Sequence, residues 1–208
     1  MNTRIPRGWR WGAFPRFSLV ELLVVMAIMA TLASILLPAL EQAKQKGKQM
    51  LCATTMKTMG NYFMMYANDY DAYLPKYNDG KSWYERLIVT GYVKSIFSPA
   101  RQIYSGFDCP MERETHINCN SDYAVNIRQF HGFYNQNLLR IPLPSECMLS
   151  IDAWDMYWTR EPAIYAQYVS PRHNKGSNTL YGDFHVGWYK YPVPTSQSNS
   201  FWGGVNQP

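Results

Sequence analysis

The chain has 208 residues, of which 47% are hydrophobic and 15% aromatic, so it can bury a core and a wholly disordered chain is excluded. Its formal net charge is +5, but residues 1–16 carry Arg4, Arg7, Arg10 and Arg16 and no acid. Because most of the charge lies in this leader, a basic face for nucleic acid is not predicted.

The first predicted element is an apolar helix over residues 17–40, FSLVELLVVMAIMATLASILLPAL, in which Glu21 is the one charged residue. This length suffices to span a bilayer core of about 30 Å. The arginines before it predict an N-terminus in the cytoplasm. A secretory signal peptide is a weaker alternative, because the apolar run is long and no clear small-x-small cleavage site follows it. A plain one-helix anchor stays open.

Glu21 is the residue that separates these alternatives. A carboxylate inside an apolar helix costs about 2.5–3.5 kcal/mol on insertion scales, so it requires a counter-charge or a functional role. If the chain were cut before Phe17, the new α-amino group, from the same or a neighbouring subunit, would be a natural counter-charge. The plainer interpretation is that Glu21 lies near the interface and snorkels.

The order Phe17, Ser18, Leu19, Val20, Glu21, with a proline at position 38, resembles the N-terminal signal of type IV pilins and type II secretion pseudopilins. The resemblance implies cleavage between Arg16 and Phe17 by a prepilin peptidase, N-methylation of Phe17, and assembly with other pilin-like subunits through Glu21 and the helix. It also implies a helix kink at Pro38. Arg16 stands where that family usually has glycine.

Apolar spacings of three and four continue to about Ala67, which predicts a helix roughly 75 Å long at about 1.5 Å per residue. The predicted organisation is a basic leader (1–16), a transmembrane helix (17–40), its soluble half (41–68), a globular domain (69–191) and a flexible tail (192–208). Within the domain we expect a short helix in residues 83–97 ended by Gly91, and strands at residues 121–127 and 148–153.

Two further segments resemble a bacterial pilin-like family that carries a C-terminal H-x9-D-G motif. Residues 51–75 resemble the segment that follows its anchor. His173, nine residues and Asp183 match the motif, with Phe184 in place of the glycine. From the residues alone, Asn174 to Gly176 predicts a turn, with strands at residues 178–181 and 185–189 and a second turn at Gly182-Asp183 between them.

Four cysteines occur, Cys52, Cys109, Cys119 and Cys147, and none has the spacing of a zinc finger. They permit two disulfides in three connectivities, which would suit an extracytoplasmic domain. Buried thiols are an equal alternative.

The strongest enzyme-like group is His173, Asp183 and His185, which would suit zinc if a strand pair brought the three together. The favoured interpretation is structural, with Asp183 capping the turn and His173 bonding a neighbouring loop. Asp152 and Asp155 are weak calcium candidates. Motifs for nucleophilic catalysis or phosphate binding are absent from the sequence.

We therefore expect an α+β, pilin-like fold in which a long N-terminal helix packs on a small, mostly antiparallel sheet. The expected function is that of a structural subunit without enzymatic activity, cofactor or nucleic-acid partner. We expect it in the bacterial cytoplasmic membrane, with its C-terminal domain extracytoplasmic. Two alternatives remain: a monomeric membrane-anchored binding protein and a metal-dependent hydrolase.

Overall fold

The structure, a computed structural model, describes residues 18–76, 81–98, 103–109, 121–126, 137–154, 166–196 and 199–203. Predictions for Arg16, Phe17, Cys119 and Asp155 fall outside these residues. The described chain is α+β, with helices and strands in the order α1 (Leu19–Asp69), α2 (Trp83–Val89), β1 (Phe97–Ser98), β2 (Ile103–Tyr104), β3 (Tyr123–Val125), β4 (Met148–Asp152), β5 (Gly176–Tyr181) and β6 (Val186–Lys190). Short 3-10 turns span Leu138–Arg140 and Ser200–Trp202.

The chain divides into two compact units, residues 1–43 and 44–208. In the first unit, every residue from 18 to 43 is exposed. In the second unit, α1 buries one face, with residues at helical spacing: Cys52, Met56, Met59, Phe63 and Tyr66. The predicted helix is confirmed over Leu19–Asp69, two residues beyond the predicted end at about Ala67.

The buried face of α1 in the second unit packs against the sheet. An added Cβ at Gly60 would lie 2.9 Å from Leu180 Cδ1 on β5, so the helix approaches the strand where it has no side chain. Lys57 Nζ donates to the backbone carbonyl of Phe184, 2.9 Å away, at the end of the same hairpin. The expected packing of a helix on an antiparallel sheet is therefore present.

The main sheet is antiparallel in the order β3-β4-β5-β6. β4 is buried along its whole length because both faces of the sheet are covered. Leu149 belongs to the core shared with α1, whereas Met148 and Ile151 pack in a second core.

A flexible tail was expected from residue 192 onward, and the second core corrects this expectation for the described residues 192–196 and 199–203. Val193, Phe201 and Trp202 are buried in it. Trp202 Nε1 donates to the carbonyl of Pro194 at 2.6 Å, and Asn126 Nδ2 reaches the Trp202 carbonyl at 3.4 Å. The Ser- and Asn-rich composition suggested mobility, but burial of two large aromatic side chains outweighs that local signal.

The β5–β6 hairpin and the turn before it follow the predicted pattern. Asn174 and Lys175 both have positive φ, and His173 and Gly176 exchange both backbone hydrogen bonds, as in a type I′ turn. At the far end, the chain turns between Tyr181 and His185. Phe184 there has φ of 64°, a backbone conformation that favours glycine. Glycine, which the H-x9-D-G motif has at this position, adopts such a φ without steric strain.

Candidate functional site

The apolar helix begins with a capping box. The backbone N–H of Ser18 donates to Glu21 Oε2 at 2.8 Å, the Ser18 hydroxyl donates to the same oxygen at 2.9 Å, and the Glu21 N–H donates back to Ser18 Oγ at 3.2 Å. Two groups that a helix N-terminus leaves unpaired are thereby satisfied. The S-x-x-E pattern of Ser18 and Glu21 is the sequence signal of such a cap, and it could have predicted this contact.

The same arrangement occurs at the start of α2. Ser82 donates through its backbone N–H and its hydroxyl to Glu85 Oε2, at 2.8 and 2.7 Å. There it starts a short helix of the folded domain. Glu21 therefore has a local structural role that requires no second subunit. Its other oxygen, Oε1, accepts no hydrogen bond among the described residues.

The remaining polar side chains of residues 18–40 are also satisfied within the helix. Thr31 Oγ1 donates to the Ile28 carbonyl at 2.8 Å, and Ser34 Oγ donates to the Thr31 carbonyl at 2.7 Å. Pro38 lies inside α1, which continues through it. The helix is long and apolar enough to cross a membrane by length and composition, a test that signal sequences also pass. Lipid tolerates such a segment because its polar groups are internally bonded.

A second candidate site is a buried polar cluster in the second unit, which we call the sulfur–histidine cluster. It consists of Cys52, Cys109, Asp152 and His173, all between 0% and 2% exposed. Cys52 and Cys109 form a disulfide with Cα atoms 5.5 Å apart. His173 Nε2 lies 3.3 Å from Asp152 Oδ2 and 3.7 Å from Cys109 Sγ. Four segments that are distant in sequence therefore meet here.

Backbone hydrogen bonds position the histidine and the aspartate. Asp152 is the last residue of β4, and its Oδ2 accepts from the Asn178 N–H of β5 at 2.6 Å. His173 opens the type I′ turn, and Trp188 Nε1 donates to its carbonyl at 2.7 Å. The Trp188 ring also fills the space that a Cβ at Gly176 would need. These contacts with Trp188 hold the turn in place, and the His173 ring lies beside Asp152.

A second buried carboxylate supports the cysteine side of the cluster. Asp122 Oδ2 accepts from the backbone N–H of Cys109 at 2.5 Å, and the Asp122 N–H donates to the Phe107 carbonyl. Burial, aided by the nearby carboxylates of Asp152 and Asp122, raises the pKa of Tyr123 well above its usual value, so this phenol is neutral. No sequence pattern indicated Asp122, and Asp152 was predicted only as a candidate calcium ligand.

The cluster resembles a catalytic His–Asp pair but is arranged as a structural one. Both side chains of the pair are 0% exposed, and the adjacent sulfur is bonded to another sulfur and so is not a nucleophile. Two buried atoms, Asp152 Oδ1 and His173 Nδ1, have no hydrogen-bond partner among the described residues. Such orphaned polar atoms are uncommon and require an explanation.

The structure does not bring the predicted zinc trio together. Asp183 pairs with His185, with Oδ1 and Nδ1 2.5 Å apart and both side chains about half-exposed, while His173 pairs with Asp152. Asp183 Oδ1 also accepts the His185 N–H at 3.1 Å, so the expected turn-capping role is confirmed. The trio stays apart because His173 precedes β5, whereas Asp183 and His185 lie in the turn that follows the other end of that strand.

The other candidates of the sequence analysis find different roles. Asp152 is buried beside the His173 ring and the disulfide, and calcium takes oxygen ligands, so the surroundings of Asp152 do not fit a calcium site. Cys147 is a buried thiol outside the disulfide, and burial raises its pKa to about 12, which keeps it protonated.

No family model matches the chain, and neither the curated proteins nor the solved structures include a significant match.

Proposed function

We propose that this chain is a pilin-like structural subunit, a pseudopilin, anchored in the bacterial cytoplasmic membrane by residues 17–40 and assembled with related subunits through that helix. The observation that carries the proposal is an apolar helix segment, exposed on all sides from residue 18 to residue 40, whose polar side chains are bonded within the helix. Such a surface requires lipid or other apolar helices around it.

The charge of Glu21 supports assembly beyond simple anchoring. Both hydrogen bonds that the Glu21 carboxylate accepts in the capping box go to Oε2, so Oε1 can accept a hydrogen bond from the α-amino group of a neighbouring subunit whose chain begins at Phe17. Two opposite charges in a low-dielectric bundle attract strongly and set the axial register of the helices. A simple anchor has no use for this residue beyond the helix cap.

Glu21→Gln separates the cap from the charge, because glutamine also completes a capping box. We expect Glu21→Gln to insert normally but to reduce subunit cross-linking in native membranes at least tenfold. Ser18→Ala is the matched control, since it weakens the cap and keeps the charge, and we expect its cross-linking to stay within about twofold of the wild type. If Glu21→Gln assembles like the wild type, the residue serves the cap and assembly through its charge is wrong.

The mature N-terminus provides an independent test. We expect mass spectrometry of protein from native membranes to find a chain that begins at Phe17 with a methylated amine. A chain that retains residues 1–16 would contradict processing and would favour the monomeric anchored binding protein. Recovery of that uncut protein only as a monomer would complete the case for the alternative.

A further inference from the structure

We propose that the sulfur–histidine cluster is a tetrahedral site for a divalent transition-metal ion of the zinc class when Cys52 and Cys109 are reduced, and that metal and disulfide are mutually exclusive states of it. The ligands are the two thiolates, His173 Nε2 and a carboxylate oxygen of Asp152. The inference is independent of the proposed membrane anchoring, because it rests only on residues buried in the second unit.

Two ligand-to-ligand distances in the cluster already match such a site, whereas the Asp152 carboxylate must move closer to the sulfur atoms to complete it. With Zn–S near about 2.3 Å and Zn–N and Zn–O near about 2.0 Å, a tetrahedron places S and N roughly 3.5 Å apart and N and O roughly 3.3 Å apart. Cys109 Sγ and His173 Nε2 are 3.7 Å apart, and His173 Nε2 and Asp152 Oδ2 are 3.3 Å apart.

The second cysteine requires only a local rearrangement. The two sulfur atoms and His173 Nε2 all lie within 4.8 Å of one another. Once the disulfide is broken, the sulfurs must separate to roughly 3.8 Å, the S···S edge of the same tetrahedron. Rotation about the Cα–Cβ bonds supplies this change while the Cα atoms stay near their separation of 5.5 Å.

The orphaned atoms are a second, independent observation that points to a ligand. Asp152 Oδ1 is buried without a hydrogen-bond partner among the described residues, next to a histidine in the same condition at Nδ1. A cation held by the carboxylate gives Asp152 the missing partner, whereas ligation through His173 Nε2 only fixes the ring proton on Nδ1 and leaves that atom unpaired. Asn178 and Asp122, through their hydrogen bonds to Asp152 and Cys109, act as positioning residues around the ligands.

The change from the metal-bound thiolates to the disulfide is a two-electron oxidation. A newly made chain carries two thiols, and binding of the divalent ion displaces their two protons. A low-molecular-weight or protein disulfide then oxidises the two thiolates. The Cys52–Cys109 bond forms, the oxidant takes up two electrons and two protons to become two thiols, and the metal ion is released. Metal would thus hold the cysteines in place before oxidation.

Cobalt(II) is the probe, because tetrahedral thiolate ligation of Co²⁺ has a sulfur-to-metal charge-transfer band. The full-length chain in detergent micelles is reduced anaerobically with a phosphine, freed of excess reductant and titrated with Co²⁺, then with competing Zn²⁺. We expect one ion per reduced chain, with the charge-transfer band, and none per oxidised chain. A reduced chain that binds no Co²⁺ overturns the proposal, whether or not it stays folded.

Variants of matched chemistry identify the ligands. We expect His173→Gln and Asp152→Asn each to weaken Co²⁺ binding more than tenfold, and Cys109→Ser to remove most of the charge-transfer intensity. His185→Gln and Cys147→Ala alter the same residue types outside the cluster, and each should bind within about twofold of the wild type. If these controls lose binding equally, or if His173→Gln binds normally with circular dichroism unchanged, the assignment is wrong.

Discussion

Two His–Asp pairs lie at opposite ends of β5, and they differ in their exposure to water. His173 and Asp152 come from separate segments and are fully buried beside a disulfide, whereas His185 and Asp183 are neighbours in a turn and about half-exposed. The exposed pair has the shorter contact, 2.5 Å against 3.3 Å. The contribution of each pair to the free energy of unfolding should depend on burial more than on distance, because water screens the exposed pair.

Removing the buried histidine should have the largest effect. We expect His173→Ala to lower the free energy of unfolding by about 3–5 kcal/mol, because it leaves a buried carboxylate without its partner and opens a cavity. Denaturant unfolding of the full chain in detergent, kept oxidised, measures the change. A loss below about 1 kcal/mol would mean that burial does not distinguish the two pairs.

Removing the Phe184 side chain, beside the exposed pair, should have a comparably large effect. Its side chain is buried in the core shared with α1, although its φ of 64° favours glycine. We expect Phe184→Ala to cost about 3–5 kcal/mol. Phe184→Gly should cost about 1 kcal/mol less than the alanine variant, because glycine relieves the left-handed strain. Equal stability of the two variants would show that this turn stores no strain.

The exposed histidine itself should matter little. We expect His185→Gln to change the free energy of unfolding by less than about 0.5 kcal/mol, as is usual for a solvated pair. The same unfolding measurement, made beside His173→Ala in one buffer, gives the contrast directly. A loss as large as that of His173→Ala would contradict the assignment of the two pairs.

The smallest expected effect is a pH dependence at Asp183. Partial burial raises its pKa, but hydrogen bonds from the His185 backbone N–H and ring outweigh this, so the pKa lies below its usual value. A depressed pKa stabilises the fold above the unfolded-state pKa of about 3.9, and that contribution is lost as the pH falls through the folded-state pKa. Melting curves of wild type and Asp183→Asn should therefore differ slightly at pH 7 and converge as the pH falls below about 4.

Much of the secondary structure could be read from local pattern. Helical spacing placed α1 within two residues of both ends, and the Asn174-Lys175-Gly176 turn followed from residues that tolerate positive φ. The cluster could not be read in this way, because its four ligand-type residues lie on four separate segments. Their pairing depends on the register between β4 and β5 and on the depth at which α1 packs.

The apolar N-terminal helix followed from the sequence alone, because a run of apolar residues and a lone carboxylate specify their environment without tertiary contacts. The positions of the hairpin turns followed as well, since clusters of Asn, Gly and Asp interrupt the strand patterns. Only the tertiary structure decided which aspartate meets which histidine, which cysteines join, and that Phe201 and Trp202 are buried. Those outcomes are set by long-range packing, in which burial of side chains from distant segments outweighs the local composition of each.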